Sequence, residues 1–240
     1  MDWDITVLGT ASSTQDVLKQ RAAQGVAEGT VVQSLQQTAG RGRHGNEWVS
    51  PMGNLYMSAL LRPDCTADEA GQVAFVTALG VSAAMDSYID ASAHDKKLKW
   101  PNDVLVDGLK ISGILLETNL KNDRVEWLVV GVGVNIFAPP EERIGLDFIK
   151  TKPVFVNVFR DECLVHLKAY YHLWREKGFA PIRDEWLKQA YGIGTDIAVR
   201  LPEVRLEGRF DGIDDTGALL LTQGGYTNTI RSGDVHFAKD

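Results

Sequence analysis

KWPNDVLVDGLKISGILLE, residues 99–117, holds two runs of strand-forming residues around the pair Asp107-Gly108. Asp-Gly suits the left-handed backbone of a two-residue hairpin, so the spacing predicts two antiparallel strands with Lys110 at the start of the second. Downstream, WLVVGVGVNI at residues 127–136 is apolar almost throughout, the pattern of a strand buried on both faces. It is therefore expected at the centre of a sheet. Gly131 and Gly133 within it leave room for another group to approach the backbone.

Toward the N-terminus, WDITVL (residues 3–8) reads as a strand and residues 12–25 as a helix, with Ser13 or Thr14 as its cap and Gly25 at its end. TVVQSLQ from Thr30 and NLYMSALL from Asn54 read as strands on either side of a glycine-rich stretch, and residues 68–89 carry helical spacing that should cover one sheet face. Toward the C-terminus, residues 155–178 form a long amphipathic helix and residues 182–190 a shorter one. From Gly192 the chain turns to short strands broken by Gly and Asp (IAVRL, LEGRFDGI, GALLLTQ and NTIRSGDVHF), the pattern of a small β-barrel. The boundary is placed near Tyr191.

The composition sets limits on function. The 25 basic and 32 acidic residues give a formal charge of −7, so there is no general attraction to nucleic acid or anionic lipid, and any anion must be held locally. Cys65 and Cys163 are too few for a disulfide framework and lack zinc-site spacing. The first residues, MDWDITVLG, show no basic stretch ahead of an apolar run, and no segment stays apolar long enough to cross a bilayer. A cytoplasmic protein, neither secreted nor embedded in a membrane, is expected.

Two stretches point to chemistry. Gly40-Arg41-Gly42-Arg43-His44-Gly45 interleaves glycines with cations, so backbone N–H groups and guanidinium forks can converge on a phosphate or carboxylate. No Gly-Lys-Ser/Thr follows, so this is not a P-loop. Lys99-Trp100-Pro101-Asn102-Asp103 sets an amide and a carboxylate beside a rigid proline, oxygen donors of the kind that bring magnesium to phosphates. Read alone, those residues also make a capped turn.

Six blocks in order, SSTQD, QTAGRGRHGNEW, SPMGNLYMS, KWPNDVLV, KISGILLE and VVGVGVNI, are similar to those of biotin protein ligases, the biotin-[acetyl-CoA-carboxylase] ligases. The resemblance runs from about Thr10 to Ile136, and RFDGIDDTGALLL near the C-terminus looks like that family's SH3-like domain. It implies an α/β (α+β) catalytic domain on a mixed sheet, residues 1–191, followed by a small SH3-like β-barrel, residues 192–240. It also implies a two-step reaction. Biotin and ATP give biotinyl-5'-AMP and pyrophosphate; an acceptor lysine then takes the biotinyl group and releases AMP.

By the same resemblance, Lys110 matches the essential lysine that touches both the biotin carboxylate and the phosphate. Arg41 and Arg43, with Gly42 between them, match the loop that closes over the adenylate. Ser13, Thr14 and Gln15 match residues that hydrogen-bond the ureido ring, and Gln37 lines the same pocket; the family usually has Asn at the position of Gln15. Trp48 matches the adenine-stacking position. Asn102, Asp103 and Asn135 match positions near the phosphates and Mg2+; on chemical grounds Asp103 is also a candidate to orient or deprotonate the incoming lysine, which must lose its proton to attack. Gly113, Gly131 and Gly133 mark where ligand passes the backbone.

ATP and magnesium are thus expected as co-substrate and biotin as substrate, with no tightly bound prosthetic group. The implied acceptor is a biotin carboxyl carrier protein or domain, of acetyl-CoA carboxylase or another biotin carboxylase. A homodimer through sheet edges is left open, and neither DNA nor membrane is expected as a partner. A lipoate ligase of the same wider fold is the nearest alternative. An octanoyl transferase would need a nucleophilic cysteine in the pocket, which neither Cys65 nor Cys163 is placed to supply. A biotin-sensing DNA-binding regulator would need a helix-turn-helix ahead of a first strand that begins at about Trp3. A non-catalytic binding module would have no use for Lys110.

Overall fold

Two-residue turns of left-handed backbone and one glycine-rich central strand organise the chain. The computed structural model describes residues 1–201 and 203–237; residue 202 and residues 238–240 of the expected C-terminal domain lie outside the described residues. In chain order the first elements are β1 (Asp4–Ala11), α1 (Thr14–Ala23), β2 (Thr30–Gln37), β3 (Leu55–Leu61), α2 (Ala67–Gly71) and α3 (Val73–Met85). They are followed by β4 (Lys96–Lys99), β5 (Asp103–Val106), β6 (Leu109–Lys121), β7 (Arg124–Val134), α4 (Leu146–Ile149), α5 (Val156–Lys177) and α6 (Ala180–Gln189). The last strands are β8 (Asp196–Arg200), β9 (Arg205–Ile213), β10 (Leu219–Gln223), β11 (Tyr226–Ile230) and β12 (Asp234–Phe237).

The main sheet has seven strands in the order β1-β2-β3-β7-β6-β5-β4, which puts β7 at its centre as its apolar run predicts. Only β1 and β2 pair in parallel, so the sheet is mixed. The β5–β6 hairpin turns at Asp107 and Gly108, both at positive φ, the backbone that an Asp-Gly pair favours. β6 runs farther than its apolar residues suggest, to Lys121. Asn122 and Asp123 both take positive φ as well. These short polar side chains tolerate that conformation, and so they close a second tight hairpin into β7.

Alternate residues of a strand face opposite sides of the sheet, and β7 uses this to make two different faces. Leu128, Val130, Val132 and Val134 point into the large core under α3 and α5. On the other face Trp127 and Val129 are covered by Leu18 and Ala22 of α1. Farther along that face come Gly131 and Gly133, which α1 does not cover with apolar side chains. The uncovered half of the face is the floor of a cavity.

Residues 68–89 form two helices rather than one, divided at Gln72. α3 is apolar nearly all round and buried nearly all round, because it is held between the sheet and α5. Trp186 of α6, 1% exposed, meets Phe75 edge-on with ring centroids 5.3 Å apart. Trp186→Ala is expected to cost about 3–5 kcal/mol through lost burial and the void left behind. Urea unfolding would measure it, and a loss under about 1 kcal/mol would show that the aromatic cluster is not a main support of the core.

The C-terminal strands form a five-stranded antiparallel sheet, β11-β10-β9-β8-β12, around Val199, Phe210, Leu219 and Leu221. The run NTIRSGDVHF divides into β11 and β12 at residues 231–233. This unit is docked on the first. Trp100 Nε1 donates to the Gly217 carbonyl at 3.0 Å, and Arg183 Nε donates to the Ile213 carbonyl at 2.9 Å. The docking brings the start of β12 to the rim of the cavity. Among the described residues no helix is long and apolar enough to cross a membrane.

Candidate active site

The cavity has a volume of about 490 Å³ and stands on the exposed halves of β6 and β7. Its floor is made by glycines. Gly113 and Gly133 are cross-strand partners, and Gly131 lies opposite Leu115. A Cβ at Gly133 would fall 2.6 Å from Trp48 Cε2, one at Gly113 3.0 Å from Trp48 Cζ3 and 3.2 Å from Lys110 Nζ, and one at Gly131 3.0 Å from Gln15 Cδ. The three bare positions let an indole, an amine and an amide lie close against the sheet.

At the centre, the amine of Lys110 lies 2.6 Å from Asp103 Oδ1, with side chains only 21% and 17% exposed. The hairpin makes this pair: Asp103 opens β5, Lys110 enters β6 just past the turn, and a register shift between Val104 and Leu105 offsets the two strands. Lys110 Nζ also stands 5.4 Å from the centre of the Trp48 ring. A fixed cation in a partly dry wall is what is needed to hold two anions together.

One end of the cavity is lined by the start of α1. Ser13 occupies the N-cap position but makes no side-chain capping bond, contrary to the expectation of a capping hydroxyl. It is buried on the cavity wall instead. Gln37 Oε1 accepts from Thr14 N at 2.8 Å and so satisfies the first turn in its place. Thr14 Oγ1 pairs with Ser58 Oγ at 2.8 Å, and Gln37 Nε2 donates to Ser50 Oγ at 3.0 Å. Gln15, 4% exposed, donates from Nε2 to the Leu115 carbonyl at 3.1 Å, which leaves its buried Oε1 as an acceptor without a partner.

The glycine-rich loop covers this end. It is shaped by a single 3₁₀ turn at Arg43–Gly45, with His44 at positive φ, and by Gly42 N donating to the Asn46 carbonyl at 2.7 Å. Its two arginines face different partners. The Arg41 fork is bidentate on Asp16, with both contacts at 2.7 Å, and reaches Glu117 at 3.5 Å; Lys19 joins the same two carboxylates at 3.2 and 2.6 Å. Arg43 instead donates to the Gly233 carbonyl at 3.2 Å and lies 3.7 Å from Asp234 Oδ1, contacts supplied by the C-terminal sheet.

Both settings lower a proton affinity, one through a neighbouring charge and the other through burial. The Arg41 guanidinium is the main reason that the Asp16 carboxyl sits below the usual carboxylate range. The Asp16–Arg41 link is accordingly complete above that range and lost as pH falls through the lowered value. For Arg43, burial is the dominant influence and lowers its proton affinity, while Asp234 and Asp103 work against it. An arginine so placed stays charged and is poorly solvated, ready to meet a phosphate.

Asn102 lines the wall and donates from Nδ2 to the Ile114 carbonyl, which leaves Oδ1 as its free acceptor. Asn135 is not on the wall. It is 1% exposed and sits behind Lys110, with Nδ2 3.5 Å from the Lys110 carbonyl and Oδ1 without a partner. The remaining sequence-derived residues, Ser13, Thr14, Gln15, Gln37, Arg41, Gly42, Arg43, Trp48, Asp103, Lys110, Gly113, Gly131 and Gly133, all line the one cavity. Sequence reasoning missed Tyr56, Met57, Arg143 and Asp234, which also line it. Arg143 had a local signal, a cation in the loop directly after the central strand, whereas Asp234 arrives only through docking of the second sheet.

Cys65 and Cys163 are both buried, and neither lines the cavity. Burial raises the Cys65 thiol to about 11 and Cys163 further still. Neither is poised as a nucleophile.

The chain is similar to known proteins over nearly all its length. Residues 8–135 match the model of the biotin/lipoate A/B protein ligase family, and residues 192–237 match the biotin protein ligase C-terminal domain. The biotin--[acetyl-CoA-carboxylase] ligase of Paracoccus denitrificans is 37% identical over 95% of this chain and 98% of its own, and that of Mycobacterium tuberculosis 31% over 95% and 86%. Among solved structures, the biotin protein ligase from Aquifex aeolicus in complex with biotin and ATP superposes with a TM-score of 0.81, at 29% identity and 97% coverage of both chains.

Proposed function

The chain belongs to the biotin/lipoate A/B protein ligase family, and on that premise we propose that it is an ATP-dependent biotin protein ligase acting on a lysine of a biotin carboxyl carrier protein or domain. One observation carries the reading at the level of the site: a glycine floor on which Lys110, Trp48 and Gln15 lie side by side, each suited to a different kind of ligand surface.

Chemistry follows from that order. Gln15, Ser13, Thr14 and Gln37 present hydrogen-bonding groups at one end, suited to a ring that carries both N–H and C=O. The orphaned Oε1 of Gln15 wants a donor, and a ureido N–H provides one; a dithiolane or alkyl chain does not, and would leave that acceptor unsatisfied at about 1–3 kcal/mol. This favours biotin over lipoate. Trp48 offers a flat face for a purine, and Lys110, beside that ring on the Gly113 floor, is the cation that can hold carboxylate and α-phosphate together despite their repulsion.

In the first step a carboxylate oxygen of biotin bonds to the α-phosphorus while the bond to pyrophosphate breaks. Lys110 exchanges its partner Asp103 for these oxygens, and the freed carboxylate is then in place to accept a proton from the acceptor lysine, which must be neutral to attack. In the second step that amine attacks the acyl carbon and AMP leaves. Between the steps the mixed anhydride must be kept from water, the role given to the loop that carries Arg43.

Magnesium belongs to this reading as a companion of ATP. Asp103 and Asn102 are neighbours on the wall, and in the first step, before Asp103 serves the acceptor lysine, their side-chain oxygens would hold it. This is a hard donor set for an ion that takes most of its ligands from phosphate and water. When bound it would neutralise phosphate charge. The two unpaired cysteines suit a reducing cytoplasm.

Incubating the protein with biotin, magnesium ATP and a carboxyl carrier domain should biotinylate the carrier, while lipoate and octanoate in parallel reactions should give none. Equal transfer of lipoate would defeat the biotin assignment. Arg43→Gly should still form the adenylate but release it at least about tenfold faster, having lost a charged contact of about 1.5–3 kcal/mol. Labelling of bystander proteins measures that escape, and an unchanged dwell time would contradict the role of Arg43 in retention.

A further inference from the structure

The cations of the cavity are unequally committed. Lys110 faces Asp103 at 2.6 Å, Arg41 grips Asp16 at 2.7 Å, and Arg43 lies on the Gly233 carbonyl at 3.2 Å. Arg143, the fourth cation on the wall, has no ion-pair or hydrogen-bond partner for its side chain among the described residues. It stands at the exposed rim.

Its backbone is nevertheless fixed. Asn54, 2% exposed, accepts with Oδ1 from the N–H groups of Ile136, Phe137 and Ala138 at 2.8, 3.1 and 3.1 Å, and donates from Nδ2 to the Ala138 carbonyl at 2.8 Å. Pro139 and Pro140 restrict the next two φ angles. Arg143 N then bonds the Pro140 carbonyl at 3.2 Å, and Ile144 N lies 3.5 Å from the carbonyl of Lys110. Arg143 is thus tethered one residue from a contact with the backbone of the central lysine. An exposed arginine on so fixed a mount keeps its charge at the mouth of the cavity.

The adenylate carries one phosphate, which Lys110 serves. ATP carries two more, and of the four cations only Arg143 can meet them without surrendering an internal partner. We propose that Arg143 is the residue that receives the β- and γ-phosphates of ATP and steadies pyrophosphate as it leaves. The inference rests on the ligase reading above. In the step concerned, biotin carboxylate oxygen bonds to the α-phosphorus, the bond from that phosphorus to its bridging oxygen breaks, and the electron pair departs with pyrophosphate, whose added charge the guanidinium offsets.

The two half-reactions separate this role from others, because pyrophosphate takes part only in the first. Arg143→Ala should raise the KM for ATP at least about tenfold in a pyrophosphate-release assay, the worth of one charged contact. Transfer from supplied biotinyl-5'-AMP to a carrier domain should stay within about twofold, and Arg143→Lys should recover part of the loss. A variant that slows both half-reactions alike, or neither, would overturn the assignment. Wild-type protein that released no pyrophosphate with biotin and ATP would instead sink the ligase reading, and the inference with it.

Discussion

Lys110→Ala is expected to reduce adenylate formation by about 10²–10³-fold, the scale on which removal of a single preorganised charge-stabilising group is felt. The ammonium is one-fifth exposed, is held by Asp103 at 2.6 Å, and lies against the Gly113 floor. No other cavity cation among the described residues can take its place. Arg41 is turned to α1, Arg43 is engaged with the C-terminal sheet, and Arg143 stands out at the rim. The variant should remain folded, because Lys110 is not part of the core. Pyrophosphate exchange dependent on biotin measures the effect, with circular dichroism as the control; exchange within tenfold of wild type would remove Lys110 from the reaction.

Gly133→Val is expected to weaken ATP binding by roughly 10–100-fold, equivalent to about 1–3 kcal/mol of overpacking. The Cβ alone would lie within 2.6–2.8 Å of three indole atoms of Trp48, and neither strand nor ring is the flexible end of a side chain. The ring must therefore leave the floor, and a purine loses its stacking face. Gly131→Val should do the converse. Its Cβ meets Gln15 at 3.0 Å, so biotin affinity should fall while nucleotide affinity stays within about threefold. Calorimetry with each ligand alone distinguishes the two, and a Gly133 variant that binds ATP normally would show that the indole is not the nucleotide's platform.

Much of the fold is legible because its signals are local. Asp107-Gly108 fixes a hairpin by backbone conformation, and the run from Trp127 fixes a central strand by burial on both faces. The differences have local causes too. β6 reads as shorter than it is because Asn122-Asp123, a turn made by polar side chains that tolerate positive φ, carries no glycine. The segment from residue 68 reads as one helix because apolar spacing continues across Gln72. Ser13 reads as a capping hydroxyl because sequence cannot tell which group will satisfy the first turn; Gln37, from a neighbouring strand, does so through its side chain.

Within the site, residue types and their grouping are readable, but their partners are not. Two arginines two residues apart look alike in sequence, yet one pairs with Asp16 and the other, where a 3₁₀ turn begins, with Gly233, far along the chain. Asn135 belongs to the same block as the glycines of β7 and lies behind the wall instead. The chain by itself determined where strands turn, which faces are apolar and which glycines must stay bare, since these depend on backbone conformation and on periodicity. Only the tertiary structure decided which charges neutralise one another and which cavity cation, among the described residues, stands alone, because the Coulomb energy of a pair depends on distance and burial, and neither exists until the sheets have closed on each other.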